Sequence, residues 1–244
     1  ESGVVECGMV HVIFGHTTPT FPDIQLSTLV ASAVGFNIIG AQQDEKIGTS
    51  VCSADINEDG RDDVIIGGPT YTYNTRTQCG IVYVVFGQST YTTDVYLLSF
   101  VSGTTTGYRI IGAMSSDSLG SGVSTIDINN DGALDIVVGA MHASPQSRAQ
   151  AGLITVLLTN PAMPTSPPVP LPTAHPTTQS LDIQLSANHS EINGFHIQGA
   201  MQDEQNGYSI SSAGDINRDG YEDALLGVPF CCGGGGGVVV LYGL

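Results

Sequence analysis

The chain has 244 residues, 41% of them hydrophobic, with 31 glycines, no tryptophan and a formal charge of −17 from six Lys and Arg against 23 Asp and Glu. So acidic a surface repels phosphate backbones and anionic lipid, which excludes nucleic acid as a partner, and no apolar run approaches the ~20 residues needed to span a bilayer. The apolar content is ample for a packed core, in one large domain or two small ones. Abundant Gly with frequent Val, Ile, Thr and Tyr favours short strands joined by tight turns.

In chain order, the first element is the apolar stretch CGMVHVIFG at 7–15, followed by DIQL at 23–26 and GFNIIGAQQDEKIGTSV at 35–51. Then come ADINEDGRDD at 54–63, DVIIGGP at 63–69 and CGIVYVVFG at 79–87. The same order starts again with DVYLL at 94–98, GYRIIGAMSSDSLGSGV at 107–123, IDINNDGALD at 126–135, DIVVGAM at 135–141 and AGLITVLL at 151–158. A third round has DIQL at 182–185, GFHIQGAMQDEQNGYSI at 194–210, GDINRDGYED at 214–223, DALLGVP at 223–229 and GGVVVLYG at 236–243. Self-similarity at this period is the mark of a repeat architecture.

Each repeat supplies four strands. Strand A runs into the acidic loop, B leaves it as DVIIGGP, C is the IVYVVFG type and D the GYRIIGA type. Continuous apolar runs such as Val82–Phe86 are what strands buried between packed sheets look like. Four antiparallel strands per repeat read as propeller blades, so the chain is all-β. The opening C and D strands are placed at Val10–Phe14 and Phe36–Gly40, and the last C strand at Val238–Tyr242. Blades are therefore expected at 1–41 (the end of one), 42–114, 115–200 and 201–244 (incomplete). The Pro/Thr-rich stretch 159–180 interrupts the third of these as an exposed insertion, a linker or an O-glycosylated stalk. Asn188 opens an N-glycosylation sequon.

The acidic loops share one spacing, D-x-N-x-D-G-x-x-D. They place Asp55, Asn57, Asp59 and Asp63 in the first, Asp127, Asn129, Asp131 and Asp135 in the second, and Asp215, Asn217, Asp219 and Asp223 in the third. A glycine stands sixth each time (Gly60, Gly132, Gly220), where a sharp turn asks for positive φ. Alternate oxygen-bearing side chains on a tight turn converge on one point, and hard oxygen ligands suit Ca²⁺. The seventh residue varies (Arg61, Ala133, Tyr221), which fits a backbone carbonyl ligand. Three Ca²⁺ sites are expected, of the millimolar grade of extracellular modules. A helix–loop–helix calcium hand is excluded, because its twelfth-position Glu is replaced by Ile66, Val138 or Leu226. The bland alternative is a set of turns in which Asp and Asn cap backbone amides without metal.

These residues resemble the FG-GAP repeats of the integrin α-subunit β-propeller and its relatives. "FG" is legible at Phe14-Gly15 and Phe86-Gly87 and survives as Tyr242-Gly243; "GAP" stands as Gly67-Gly68-Pro69, Gly139-Ala140-Met141 and Gly227-Val228-Pro229. The resemblance implies that each loop joins strands A and B and holds Ca²⁺, in propellers that usually have seven blades. This sequence holds too few strands to close such a ring, so it reads as part of a longer polypeptide or as a chain whose open edges pair with copies of itself or a neighbouring chain. With Glu1 at its start and neither Met nor a signal peptide, it reads as a mature or fragmentary product.

Some relatives of such propellers accompany hydrolase or lyase chemistry, but no catalytic signature stands out. The six histidines (His11, His16, His142, His175, His189, His196) form no H-E-x-x-H, there is no G-x-S-x-G, and the run Gly233–Gly237 lacks the Lys-Ser/Thr of a phosphate loop. No carboxylate pair outside the acidic loops is singled out for glycoside hydrolysis. Five cysteines (Cys7, Cys52, Cys79, Cys231, Cys232) make some disulfides plausible without fixing their pairing. The expectation is a non-enzymatic, extracellular or cell-surface, calcium-binding module that recognises a protein or glycan. The alternative is a structural subunit of an extracellular filament or matrix, and a propeller-type hydrolase or lyase ranks third.

Overall fold

The computed structural model describes residues 7–15, 23–32, 34–159, 183–185, 193–231 and 235–243. The insertion beyond Thr159 and the sequon at Asn188 lie outside the described residues. Among the described residues fifteen strands run in order: β1 Met9–Ile13, β2 Gly35–Ile39, β3 Ser50–Ala54, β4 Asp63–Gly68, β5 Ile81–Val85, β6 Val95–Tyr96, β7 Gly107–Ile111, β8 Leu119–Ile126, β9 Asp135–Ala140, β10 Leu153–Leu157, β11 Ile183–Gln184, β12 Gly194–Gln198, β13 Ser209–Gly214, β14 Asp223–Val228 and β15 Gly237–Leu241. They form four sheets, β1-β2-β6, β3-β4-β5-β7-β11, β8-β9-β10-β12 and β13-β14-β15. The A-B-C-D meander is thus present in full twice, with C-D before it and A-B-C after it. The terminal C and D strands sit one residue earlier than the sequence expectation, at Met9–Ile13, Gly35–Ile39 and Gly237–Leu241.

Two strands were not foreseen. β6 lies in the C–D connection of the second blade, yet pairs in parallel with β2 of the first. β11 lies in the C–D connection of the third blade and pairs in parallel with β7 of the second. Two of the three Asp-apolar stretches of the sequence thus contain fifth strands donated backwards, each to the blade before.

The unbroken apolar runs follow from the stacking. Successive side chains of a strand point to opposite faces. In β5, Ile81, Tyr83 and Val85 enter a core shared with Phe36 and Ile38 of the first blade. Val82 and Val84 enter the next core, with Leu119, Ile136 and Val138 of the third blade. In β9 the alternation repeats, Val137 joining Ile154, Ala224 and Leu226 against the fourth blade. Each interior blade has a core on both faces, at roughly 1.5–3 kcal/mol for every large apolar side chain buried.

The blades approach each other at the glycine of the GAP element. A Cβ on Gly67 would stand 2.1 Å from the carbonyl oxygen of Gly120 in the next blade, and one on Gly139 would stand 2.0 Å from that of Gly207. The same contact is sewn by Ser50, whose Oγ donates to the Gly120 carbonyl (2.8 Å), and by Ser121, whose Oγ donates to the carbonyls of Gly139 (3.1 Å) and Gly207 (2.9 Å).

The cysteines are set by the same packing rather than by oxidation. Cys7 and Cys79 are buried at one repeat position, where their carbonyls accept the N–H of Ile47 (3.2 Å) and Leu119 (3.0 Å); Ala151 fills that position in the third repeat. Cys7, Cys52 and Cys79 are free thiols, so the disulfides entertained from the count do not form among these three. Burial pushes the Cys52 thiol up to about 12.

Gly139→Ala should force the third and fourth blades apart and lower stability by about 1–3 kcal/mol, the range for overpacking a tight site. Chemical denaturation of the variant against the parent measures it, and an unchanged midpoint would show that the blades do not touch there.

Candidate functional site

The three acidic loops connect β3 to β4, β8 to β9 and β13 to β14, and they are built alike. The first-position carboxylate points into its own loop: Asp55 Oδ1 accepts the Asp59 N–H (3.0 Å) and Oδ2 the Gly60 N–H (2.8 Å). Asp127 does the same with Asp131 and Gly132, and Asp215 with Asp219 and Gly220. The third-position amide oxygen accepts the same fifth-position N–H, Asn57 from Asp59 at 3.0 Å, Asn129 from Asp131 at 3.1 Å and Asn217 from Asp219 at 2.9 Å. The fifth-position carboxylates of Asp59, Asp131 and Asp219 accept the N–H of Arg61, Ala133 and Tyr221. The turn is tight enough that Gly60, Gly132 and Gly220 take φ of +85°, +89° and +94°, a region where a side chain is strained.

The ninth-position aspartate does something the spacing alone did not reveal. Asp63, Asp135 and Asp223 are fully buried at the first residue of strand B. One oxygen holds the loop: Oδ2 of Asp63 accepts Ile56 N–H (3.0 Å), that of Asp135 accepts Ile128 N–H (3.2 Å) and that of Asp223 accepts Ile216 N–H (2.7 Å). The other accepts the N–H of the residue two positions beyond strand C, Gly87 (2.8 Å), Thr159 (2.8 Å) or Gly243 (3.2 Å). The glycine of the FG element is one such partner, and its Cβ would collide with the Asp62 carbonyl at 2.5 Å. Burial raises the carboxyl pKa of Asp63, and the negative charges of Asp55 and Asp59 raise it further, against the lowering effect of the two N–H donors. Burial likewise lifts Asp135 to about 6, with Asp131 and Asp127 adding to it.

All the expected ligands are thus brought into three compact loops, with side-chain oxygens turned towards backbone N–H groups. Among the described residues no three His, Cys, Asp or Glu side chains are gathered as a ready-made metal cluster. The donor set nevertheless fits a hard cation. Every carboxylate oxygen carries two lone pairs, so each N–H bond leaves an acceptor site open, and the amide oxygens and seventh-position carbonyls are also hard ligands. Little positive charge competes for these oxygens. Arg61 approaches Asp59 at 3.5 Å on the surface, a weak pair, and the middle loop contains no Lys or Arg.

With loops and blades described, the comparison with known proteins becomes specific. The FG-GAP repeat family matches residues 47–85 and 119–157, each covering strands A, B and C of one blade and ending with strand C. The chain contains two FG-GAP repeats at these residues. It is 26% identical over 190 residues to the phosphatidylinositol-glycan-specific phospholipase D of Bos taurus, covering 77% of this chain and 19% of that protein. It is 28% identical over 189 residues to integrin alpha-PS2 of Drosophila melanogaster (75% and 12%), and 27% over 193 residues to integrin alpha-5 of Xenopus laevis (77% and 14%). The chain spans about a fifth or less of the length of these relatives. The phospholipases correct the expectation of a non-enzyme: FG-GAP repeats like these are part of proteins named for catalysis, a context that no motif in the chain announces.

Two of the histidines have side-chain partners within the sheets. His11 Nδ1 lies 2.7 Å from Asn37 Oδ1, and His196 Nδ1 lies 3.0 Å from Thr155 Oγ1. A second set of acids escaped the sequence reading. Glu45, Asp117 and Glu204 occupy one repeat position in the connection from D to the next A strand, where they cap the turn. Glu45 Oε2 accepts the N–H groups of Ala41 and Gln42, Glu204 Oε2 those of Ala200 and Met201, and Asp117 Oδ2 that of Met114 (3.2 Å). The signal was present as D-E, S-D and D-E in aligned positions, but single acids without a spacing pattern look like surface charge.

Burial holds the Asp117 carboxyl at about 6, above its ordinary 3.8, against the lowering effect of the Met114 N–H. The folded state therefore binds this proton more tightly than the unfolded chain. Its ionised form costs stability above pH 6, and that cost is relieved as pH falls from 6 towards 4. Asp117→Asn should stabilise the protein by about 1–2 kcal/mol at pH 7.5, allowing for partial solvent screening, and the gain should vanish near pH 4. Denaturation of both proteins across that range checks it; a gain independent of pH would mean that charge is not the cause.

Proposed function

We propose that this FG-GAP chain is a calcium-binding β-propeller module, acting outside the cell in adhesion or recognition of a protein or glycan ligand. We also take 1–41, 42–114, 115–200 and 201–244 as its blade units. The observation that carries the calcium reading is the threefold repetition of one loop geometry, in which a buried carboxylate is surrounded by further carboxylates with almost no countercharge. The recognition role rests on the likeness to integrin α subunits, together with a surface too acidic for nucleic acid. Among the described residues no helix is long and apolar enough to cross a membrane.

The ligands of the ion would be Asp55, Asn57, Asp59, the Arg61 carbonyl and Asp63, with Asp127, Asn129, Asp131, the Ala133 carbonyl and Asp135 in the second loop. In the third they would be Asp215, Asn217, Asp219, the Tyr221 carbonyl and Asp223. Calcium would supply the charge that these loops lack, and the buried ninth aspartate would carry that stabilisation into the blade through strands B and C. A second reading, a filament or matrix subunit assembled through open blade edges, draws on β15, whose valines 238, 239 and 240 are exposed.

Extracellular-grade sites have Kd on the order of 10⁻⁴–10⁻³ M. Calcium at ten times Kd adds about 1.4 kcal/mol per site. Thermal melts in EDTA and in 5 mM Ca²⁺ should differ by several degrees, and identical midpoints would contradict calcium binding. Asp131→Ala should lose roughly 1–3 kcal/mol in calcium and clearly less in EDTA; equal losses in both buffers would assign Asp131 to turn capping alone.

A further inference from the structure

Both fifth strands dock in the same register, Val95 opposite Ile38 and Ile183 opposite Ile110, the fourth residue of each D strand. Asp94 precedes β6, and its Oδ1 accepts the N–H of Asn37 in the middle of β2 (2.9 Å). Leu185 follows β11 and donates its N–H to the Ile111 carbonyl at the end of β7 (2.9 Å). The leucines that close the two segments are buried, Leu97 at 2% and Leu185 at 5% exposure. In the second blade an arginine clamps the incoming strand. Arg76 donates Nη1 to the carbonyls of Gly112 (2.7 Å) and Leu185 (3.5 Å) and Nη2 to Gln184 Oε1 (3.3 Å), while Gln184 Nε2 donates to Tyr73 Oη (3.2 Å).

The third blade repeats this receiving site with no strand in it among the described residues. β12 has the D-strand pattern, Gly-Phe-His-Ile-Gln-Gly, and among the described residues β10 is its only partner. Arg148 stands at the repeat position of Arg76. It donates Nη2 to Gln198 Oε1 (3.2 Å) and Nη1 to Gln146 Oε1 (2.8 Å), and its buried Nε has no hydrogen-bond partner among the described residues. At the other end of the chain, Asp23-Ile24-Gln25-Leu26 shows what an undocked segment looks like. Its 3-10 turn over Leu26–Thr28 has the caps of the turn over Leu97–Ser99: Gln25 and Tyr96 are both extended, and the N–H groups of Leu29 and Phe100 close on Leu26 and Leu97. Leu26 itself is 48% exposed. The turn forms without a D strand, and the leucine is buried only when one lies beneath it.

We infer that the outer edge of β12 is a strand-addition site for an Asp–apolar–x–Leu segment supplied by a further repeat of this kind. The main-chain edge provides the parallel hydrogen bonds, as in peptide recognition by strand addition, and the Arg148 guanidinium provides the clamp. The incoming leucine would pack as Leu97 and Leu185 do. The site does not depend on calcium.

Along β12 the N–H of Gly199 points to β10, bonding Gly152 at 2.9 Å. By alternation the Ile197 and Phe195 N–H also point inward and that of Gln198 outward. The test replaces Leu244 with a second copy of residues 88–113, which follow strand C in the second repeat, and measures amide hydrogen exchange. Gln198 should slow at least tenfold relative to the unextended chain, with Phe195 and Ile197 unchanged, and Arg148→Ala in the extended chain should return most of the rate. The inference is overturned if Gln198 is as slow as Ile197 before extension, or if it exchanges equally fast after it. It is also overturned if the slowing survives Asp94→Ala and Val95→Pro in the appended copy. Should the extended chain not fold, a peptide of residues 92–101 at millimolar concentration must produce the same slowing in trans.

Discussion

A buried aspartate at the first residue of each B strand connects everything that is unusual about this chain. Asp63, Asp135 and Asp223 each have one oxygen on the acidic loop and the other just beyond strand C. Removing one would leave a loop N–H and a strand-end N–H buried and unpaired, at about 1–3 kcal/mol each. The same residue carries a charge into a place where water cannot screen it, beside two more carboxylates of its own loop. The rise in the Asp63 and Asp135 pKa values is the electrostatic record of that crowding. A divalent cation bound in the loop would relieve it directly, and would then be coupled to blade geometry through one side chain.

Outside the loops the fold is held by repetition of two contacts. The interior strands β5 and β9 deliver alternate side chains to cores on either side, so no blade stands without its neighbour. At the GAP element of the second and third blades a glycine lets the backbones approach closely, and a serine hydroxyl closes the gap. The donated fifth strands add a third contact, passing from each repeat to the one before it. Such nearest-neighbour coupling is what makes repeat proteins extendable, and it leaves a receiving edge at whichever D strand has not yet met its donor.

Much of this was legible from the residues. The acidic loop announced itself through fixed spacing in three copies, and the A to D strands through apolar runs bounded by glycine. The aligned FG and GAP elements then marked where strands end. What escaped notice had weak local signatures. A two-residue parallel strand such as Val95–Tyr96 has no periodicity, and its partner lies 57 residues away in sequence. Glu45, Asp117 and Glu204 are single acids whose capping role depends on a turn that only the coordinates show. The cysteines misled by their number: Cys7 and Cys79 fill a slot that Ala151 fills equally well, so small size rather than redox chemistry selects them. The wider protein context was invisible for a different reason. The sequence of a blade carries the constraints of packing and loop chemistry, which phospholipases and integrins alike impose on their repeats.

The central claim is that three structurally equivalent loops are cation sites coupled to the blades through a buried aspartate. Isothermal titration of the calcium-depleted protein with Ca²⁺ tests it most directly. The account predicts three equivalents bound per chain with submillimolar to millimolar affinity, falling to two when Asp135 is replaced by Asn. Titration heats indistinguishable from dilution, or a stoichiometry unaffected by Asp135→Asn, would contradict it.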